Sequence, residues 1–233
     1  TPNTTDAAGR RYRYGHQPAV AHWNLVQLAN ALVPLMGDQV ELLQGAVDEY
    51  PRRYGEGWRH ATTAKLGLVA PRDGDESLVG ELFGLLHATE ADYTIFFRRL
   101  ADVRCDPAPT EPEDHSVELL AEAWYRPEAV TSGQRAALGA WIERYRARLR
   151  HDGRSDGARR LAMNAVNPRY VLRNYLAQLA IDRAEAGDPD GVVELAAVLR
   201  RPYDDQPGRE GLAAKRPEWA RHRVGCSMLS CSS

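Results

Sequence analysis

Asn167-Pro168-Arg169-Tyr170-Val171-Leu172-Arg173-Asn174-Tyr175-Leu176-Ala177-Gln178 carries the strongest helix signal in this chain of 233 residues. An asparagine side chain accepts from the free N–H groups of a first turn, and a proline next to it has no N–H to leave unsatisfied. The pair predicts a helix with Asn167 as cap and Pro168 as its first residue. Val171, Leu172, Tyr175, Leu176 and Leu179 then form the core stripe, and Gly187 marks the stop. Asp188-Pro189 repeats the start signal for a helix to about Leu199.

The same period recurs upstream. From Pro18, apolar residues at Val20, Trp23, Leu28, Leu32 and Leu35, with Leu25 and Ala29 beside them, predict one buried helix face. Gly37-Asp38 separates it from a second helix that runs from about Gln39 towards Tyr54, where Pro51 is expected to kink or break it. Leu78, Leu82, Leu85 and Leu86 mark a helix after Asp73-Gly74-Asp75. A related segment from Asp92 to about Asp102 predicts a helical hairpin with it. Pro107, Pro109 and Pro112 make 105–114 a linker, and helices follow at about 116–125 and 132–150. With no alternating strand pattern, internal repeat or sustained heptad, the fold class is mainly α.

Composition limits the function classes. Hydrophobic residues make up 43 % and charged residues 27 %, the balance of a globular protein, and no run approaches the roughly 20 apolar residues of a membrane span. A formal net charge of -2 provides no overall basic field for nucleic acid. The sequence opens at Thr1 without Met and without the pattern of a signal peptide, which raises the expectation of further chain in front of it. Three cysteines, Cys105, Cys226 and Cys231, suit a reducing compartment, so the expected setting is the bacterial cytoplasm.

Local chemistry is sparse. Gly55-Glu56-Gly57 lacks both a preceding strand and the Lys-Ser/Thr pair of a phosphate loop. Asp73, Asp75 and Ser77 imitate the start of a calcium loop, but Leu78 stands where its glycine belongs, and helix capping is the better reading. The seven histidines form no H-E-x-x-H pair. His222, Cys226 and Cys231 fall one donor short of a structural zinc site. Arg169 and Arg173, one turn apart on the predicted helix, read first as a polar face beside Asn174, Gln178 and Asp182, and second as a site for a phosphate or an acidic substrate. No catalytic, cofactor-binding or metal-binding residue is assigned.

Several stretches, in order along the whole chain, resemble the selenoprotein O or YdiU-like protein adenylyltransferases. They are Gly9-Arg10-Arg11-Tyr12, Gln17-Pro18, His22-Trp23-Asn24-Leu25, Asp92-Tyr93-Thr94, the Asn167–Gln178 stretch, Ile181-Asp182 and Glu185-Ala186-Gly187-Asp188. Arg201-Pro202-Tyr203-Asp204, Pro217-Glu218-Trp219-Ala220 and Leu229-Ser230-Cys231-Ser232-Ser233 complete the series.

The resemblance implies the helical large lobe and C-terminal extension of a protein-kinase-like (pseudokinase) fold. It implies transfer of AMP from ATP to Ser, Thr or Tyr hydroxyls of protein substrates, with magnesium or manganese. That chemistry needs cations and metal-holding carboxylates around the triphosphate. By the same resemblance those groups precede the matched region, so these residues alone are expected to be inactive and to bind neither ATP nor metal. Asp92-Tyr93-Thr94 is distinct from the family's metal-binding Asp-Tyr-Gly, because it sits on a predicted helix far downstream.

The implied organisation is an activation-segment-like loop at 1–17, the helical kinase-like part at 18–200 and an irregular tail at 201–233. Arg10, Arg11 and Arg13 of the first segment are candidate contacts to nucleotide or protein substrate. The resemblance also makes Cys231 a candidate redox thiol, with Cys226 as its possible partner five residues away. The alternative reading is an autonomous, non-catalytic helical interaction module. Membranes and nucleic acids are not expected partners, and oligomeric state is left open.

Overall fold

The computed structural model describes residues 11, 13–110, 112 and 114–226. Nine α-helices run in chain order, with no β-strand among the described residues. They are α1 Gln17–Met36, α2 Val40–Lys65, α3 Asp75–Ala88, α4 Tyr93–Leu100, α5 His115–Ala121, α6 Ser132–Arg150, α7 Asp156–Val166, α8 Asn174–Glu185 and α9 Asp190–Leu199. None of these is long and apolar enough to cross a membrane. The chain divides into two compact units, one of described residues up to Arg59 together with those from Arg221, the other His60–Ala220.

In the first unit α1 forms where its period places it, but the buried face expected from that period is corrected. No residue of α1 is buried, and Trp23, Leu25, Leu28, Leu32 and Leu35 are all exposed. Periodicity identifies the side chains that need cover and is silent on which polypeptide supplies it. A second correction concerns Pro51, which lies inside an uninterrupted α2. One missing N–H is tolerated there beside a surface ladder in which Glu49 pairs with Arg52 and Arg53, and Arg52 with Glu56 2.6 Å away. Hydrogen bonds from Arg52 and Arg53 hold the Glu49 carboxyl down at about 2. Gly55 and Gly57 also lie within α2, on a helix and not in a phosphate loop.

The second unit holds the core. Trp141 and Tyr145 of α6 stack with ring centroids 5.2 Å apart, and Leu78, Leu82, Phe96, Leu100, Leu120 and Met163 close around them. The Trp141 indole N–H donates to the Leu78 carbonyl at 2.9 Å, so α3 packs chiefly on α6. The predicted α3–α4 hairpin is corrected to a lesser contact, carried by Phe83 stacked on Tyr93 at 5.9 Å. The Asp75 side chain does not cap α3, whose N-cap is Gly74. Its carboxylate accepts from the Arg72 N–H at 2.8 Å and pairs with Arg148 at 2.7 Å.

Helix α7 has no counterpart in the sequence reading, because its core position is taken by a charge. Arg159 is 1 % exposed and donates to the carbonyls of Leu100 and Val103, the Tyr145 hydroxyl and Asp156. Gly67 fits beneath it at φ 69°, where an added Cβ would lie 2.7 Å from Arg159 Cγ and Met163 Cγ.

The helix start predicted at Asn167 is also corrected. Asn167 is the residue on which α7 ends, residues 168–173 are non-helical, and α8 begins at Asn174 with Arg173 before it. Tertiary partners outbid the cap. The Arg169 and Tyr170 N–H groups both donate to the Pro202 carbonyl, at 2.7 and 3.0 Å. Tyr170 is buried and Leu172 exposed, and of the predicted stripe only Tyr175 and Leu176 are buried, Leu179 being exposed as well. Downstream the reading stands: Gly187 takes φ 89° just past α8, and α9 follows Pro189.

Candidate functional site

The segment 167–173 gathers residues that lie far apart in the sequence. Asn167 is buried, accepts from Lys65 Nζ at 3.1 Å and donates to the Lys65 carbonyl at 2.9 Å. Burial shifts the Lys65 amine downward. At the other end Arg173 makes a forked pair with Asp92, its Nη2 3.1 Å from Oδ1 and its Nη1 on Oδ2. Asp92 is buried as the N-cap of α4, accepting from the Ile95 N–H at 3.1 Å, and its Oδ2 also accepts a hydrogen bond from the Tyr125 hydroxyl at 2.8 Å. Burial and the neighbouring Asp92 carboxylate push the Tyr125 phenol up to about 12. Burial alone would lower the Arg173 guanidinium, and the Asp92 carboxylate more than reverses that.

Two stretches singled out in the sequence, Asp92-Tyr93-Thr94 and Arg169–Arg173, therefore meet in space. The sequence did not reveal that they pair with each other. Arg169 and Arg173 do not share a helix face, which corrects the expectation of a one-turn spacing. Arg173 is taken up by Asp92, and Arg169 reaches Asp205. Gln178 does bond Asp182 along α8, at 2.8 Å.

Arg169 lines a cavity of about 300 Å³ together with Arg98, Arg99, Asp102, Arg160, Asp205 and Lys215. Arg98 is largely buried and reaches the carbonyls of Asn164, Asn167 and Tyr203 at 3.3 to 3.4 Å. The carboxylates around this cavity are engaged: Asp102 by Arg160 at 2.9 Å, Glu122 by Arg99 at 2.6 Å, and Asp205 by Arg98 and Arg169. Glu210 accepts the Gly208 N–H at 3.1 Å. Among the described residues no group of three or more His, Cys, Asp or Glu side chains is placed to hold a metal ion. These residues do not fit a triphosphate with its divalent metal, because each acid near the cavity already has a protein donor. The arrangement ties segments together.

The cysteines are separated in character. Cys226 is buried with a free thiol, and Cys231 lies outside the described residues, as does Arg10. Cys105 is half-buried, its N–H bonded to Asp156, and burial together with Asp106 and Asp156 raises its thiol. Of the other candidates, Arg11 lies over the Trp23 ring, 4.4 Å from its centroid, and Arg13 bonds His16.

The described residues form a mainly helical protein in which buried ion pairs tie distant segments together. The chain belongs to the protein adenylyltransferase SelO family, whose model matches residues 1–200. Similar proteins include the protein nucleotidyltransferase YdiU of Xanthomonas campestris pv. campestris, strain B100, 54 % identical over all of this chain and 43 % of its own length. Another is the protein nucleotidyltransferase YdiU of Rhodopirellula baltica, 53 % identical over all of this chain and 44 % of its own length. The chain thus spans under half the length of these relatives.

Proposed function

We propose that these residues are part of a protein adenylyltransferase that transfers AMP from ATP to Ser, Thr or Tyr hydroxyls of other proteins in the bacterial cytoplasm. The observation that carries this reading is identity of 54 % over all 233 residues to a protein named as a nucleotidyltransferase. In this reading the nucleotide, the magnesium or manganese ion and the catalytic groups are held by the part of the family's polypeptide that this chain does not span. The present residues supply the helical large lobe of a kinase-like fold and its C-terminal extension, with 1–17 as the activation-segment counterpart.

The test is incubation of the intact protein with labelled ATP, magnesium or manganese and a bacterial extract. Label on target proteins supports the reading, and no transfer under either metal overturns it.

A further inference from the structure

Leu25, Leu28, Leu32 and Leu35 follow one another at spacings of three, four and three, which sets them along one side of α1. They are 37, 56, 36 and 79 % exposed, and Trp23 and Val33 elsewhere on the helix are exposed as well. The side of α1 that carries His22 is occupied, its ring stacked on Tyr50 with centroids 5.7 Å apart. The 20 residues of α1 include no Asp, Glu, Lys or Arg. Helices that face water carry charge, and one that is apolar on more than one side belongs inside a protein. The uncharged Asn24, Gln27 and Asn30 interrupt its hydropathy, and α1 does not qualify as a membrane span. A protein surface is therefore the fitting cover. All of this chain aligns with a relative of which it makes up 43 %, so family members carry more than half their length beyond this region.

We propose that the Leu25–Leu28–Leu32–Leu35 face of α1 is the docking surface for the portion of the family's polypeptide that these 233 residues do not span. The proposal rests on the functional reading above only in calling that portion the catalytic one. The leucine stripe is the seam, and α1 is a core helix shared by both portions.

Hydrogen–deuterium exchange of this chain and of the intact Xanthomonas campestris relative, each verified as monodisperse by sedimentation, tests it. The expected result is exchange in α1 at least roughly tenfold slower in the relative. Leu28→Asp is expected to leave the melting temperature of this chain within about 2 °C, and the substitution at the aligned position to lower that of the relative by more than about 5 °C. Where that variant of the relative does not fold, Leu35→Gln at the most exposed position takes its place. Equal exchange in both proteins, or equal tolerance of the substitution, overturns the proposal. Concentration-dependent protection of α1 in this chain with a dimer mass overturns it in favour of a second copy. Neither readout uses AMP transfer, so an inactive relative would remove the functional reading and leave this one standing.

Discussion

Arg173 closes a fork on Asp92, 81 residues earlier in the chain, with Nη2 3.1 Å from Oδ1. The Asp92 side chain is 2 % exposed and that of Arg173 12 %, so water screens neither charge well. The pair joins the N-terminus of α4 to the entry of α8, and Tyr125 adds a third anchor on the same carboxylate.

Removing one partner strands the other. Asp92→Ala leaves a buried guanidinium without its counter-charge and also deletes the cap of α4, so a loss of about 3–5 kcal/mol is expected in urea unfolding. Arg173→Met alone should be severe as well, and the double variant should lose clearly less than the sum of the two. An additive cycle would show that the fork contributes no coupling.

Gly67 tests the close approach of α7. Alanine there would combine positive φ with a Cβ 2.7 Å from Arg159 and Met163 side chains. Gly67→Ala should cost at least about 2 kcal/mol, read as a drop in melting temperature. A neutral result would mean that α7 stands off from this turn.

Acid stability has a named contributor. Burial alone would raise the Asp152 carboxyl, but the Val69 N–H at 2.8 Å and Arg148 at 2.7 Å overcome it and hold the group below its ordinary value. Its folded pKa is depressed, so its contribution is present above the unfolded value near ~3.9 and lost as pH falls through the lower folded one. Urea midpoints measured from pH 5 downward should fall, and Asp152→Asn should flatten that slope. An unchanged slope in the variant would assign the acid sensitivity to other groups.

Much of this architecture was legible as pattern. The apolar period places α1, α3, α4 and α6, and the Asp188-Pro189 start signal places α9, although the periodic face of α1 is not buried. Helix α7 stayed hidden because Arg159 fills a core position with a charge whose partners, apart from Asp156, come from other segments. Asn167-Pro168 misled for a related reason. The local cap signal is real chemistry, but Lys65 and Pro202, both distant in sequence, offer those groups better partners. Of the candidate site, the sequence showed Arg169 and Arg173 as polar residues of note. It did not show that Asp205 and Asp92 neutralise them, since ion pairs across tens of residues leave no periodic trace.

Thiol chemistry separates the three cysteines. Burial and two neighbouring carboxylates raise Cys105, and Cys226 is buried, so both should alkylate at neutral pH roughly tenfold more slowly than glutathione. Fast labelling of either would contradict this environment. We propose, from the family resemblance, that Cys226 and Cys231 form a disulfide on oxidation, and mass mapping of the oxidised intact protein should recover the bridged peptide. Finding both thiols free would remove it.

The proposed function places the chemistry of AMP transfer outside these 233 residues. Purified free of other enzymes and supplied with labelled ATP, magnesium or manganese and a bacterial extract, this chain alone is expected to label nothing, while the intact protein labels targets. Label transferred by the 233-residue chain itself would contradict the account.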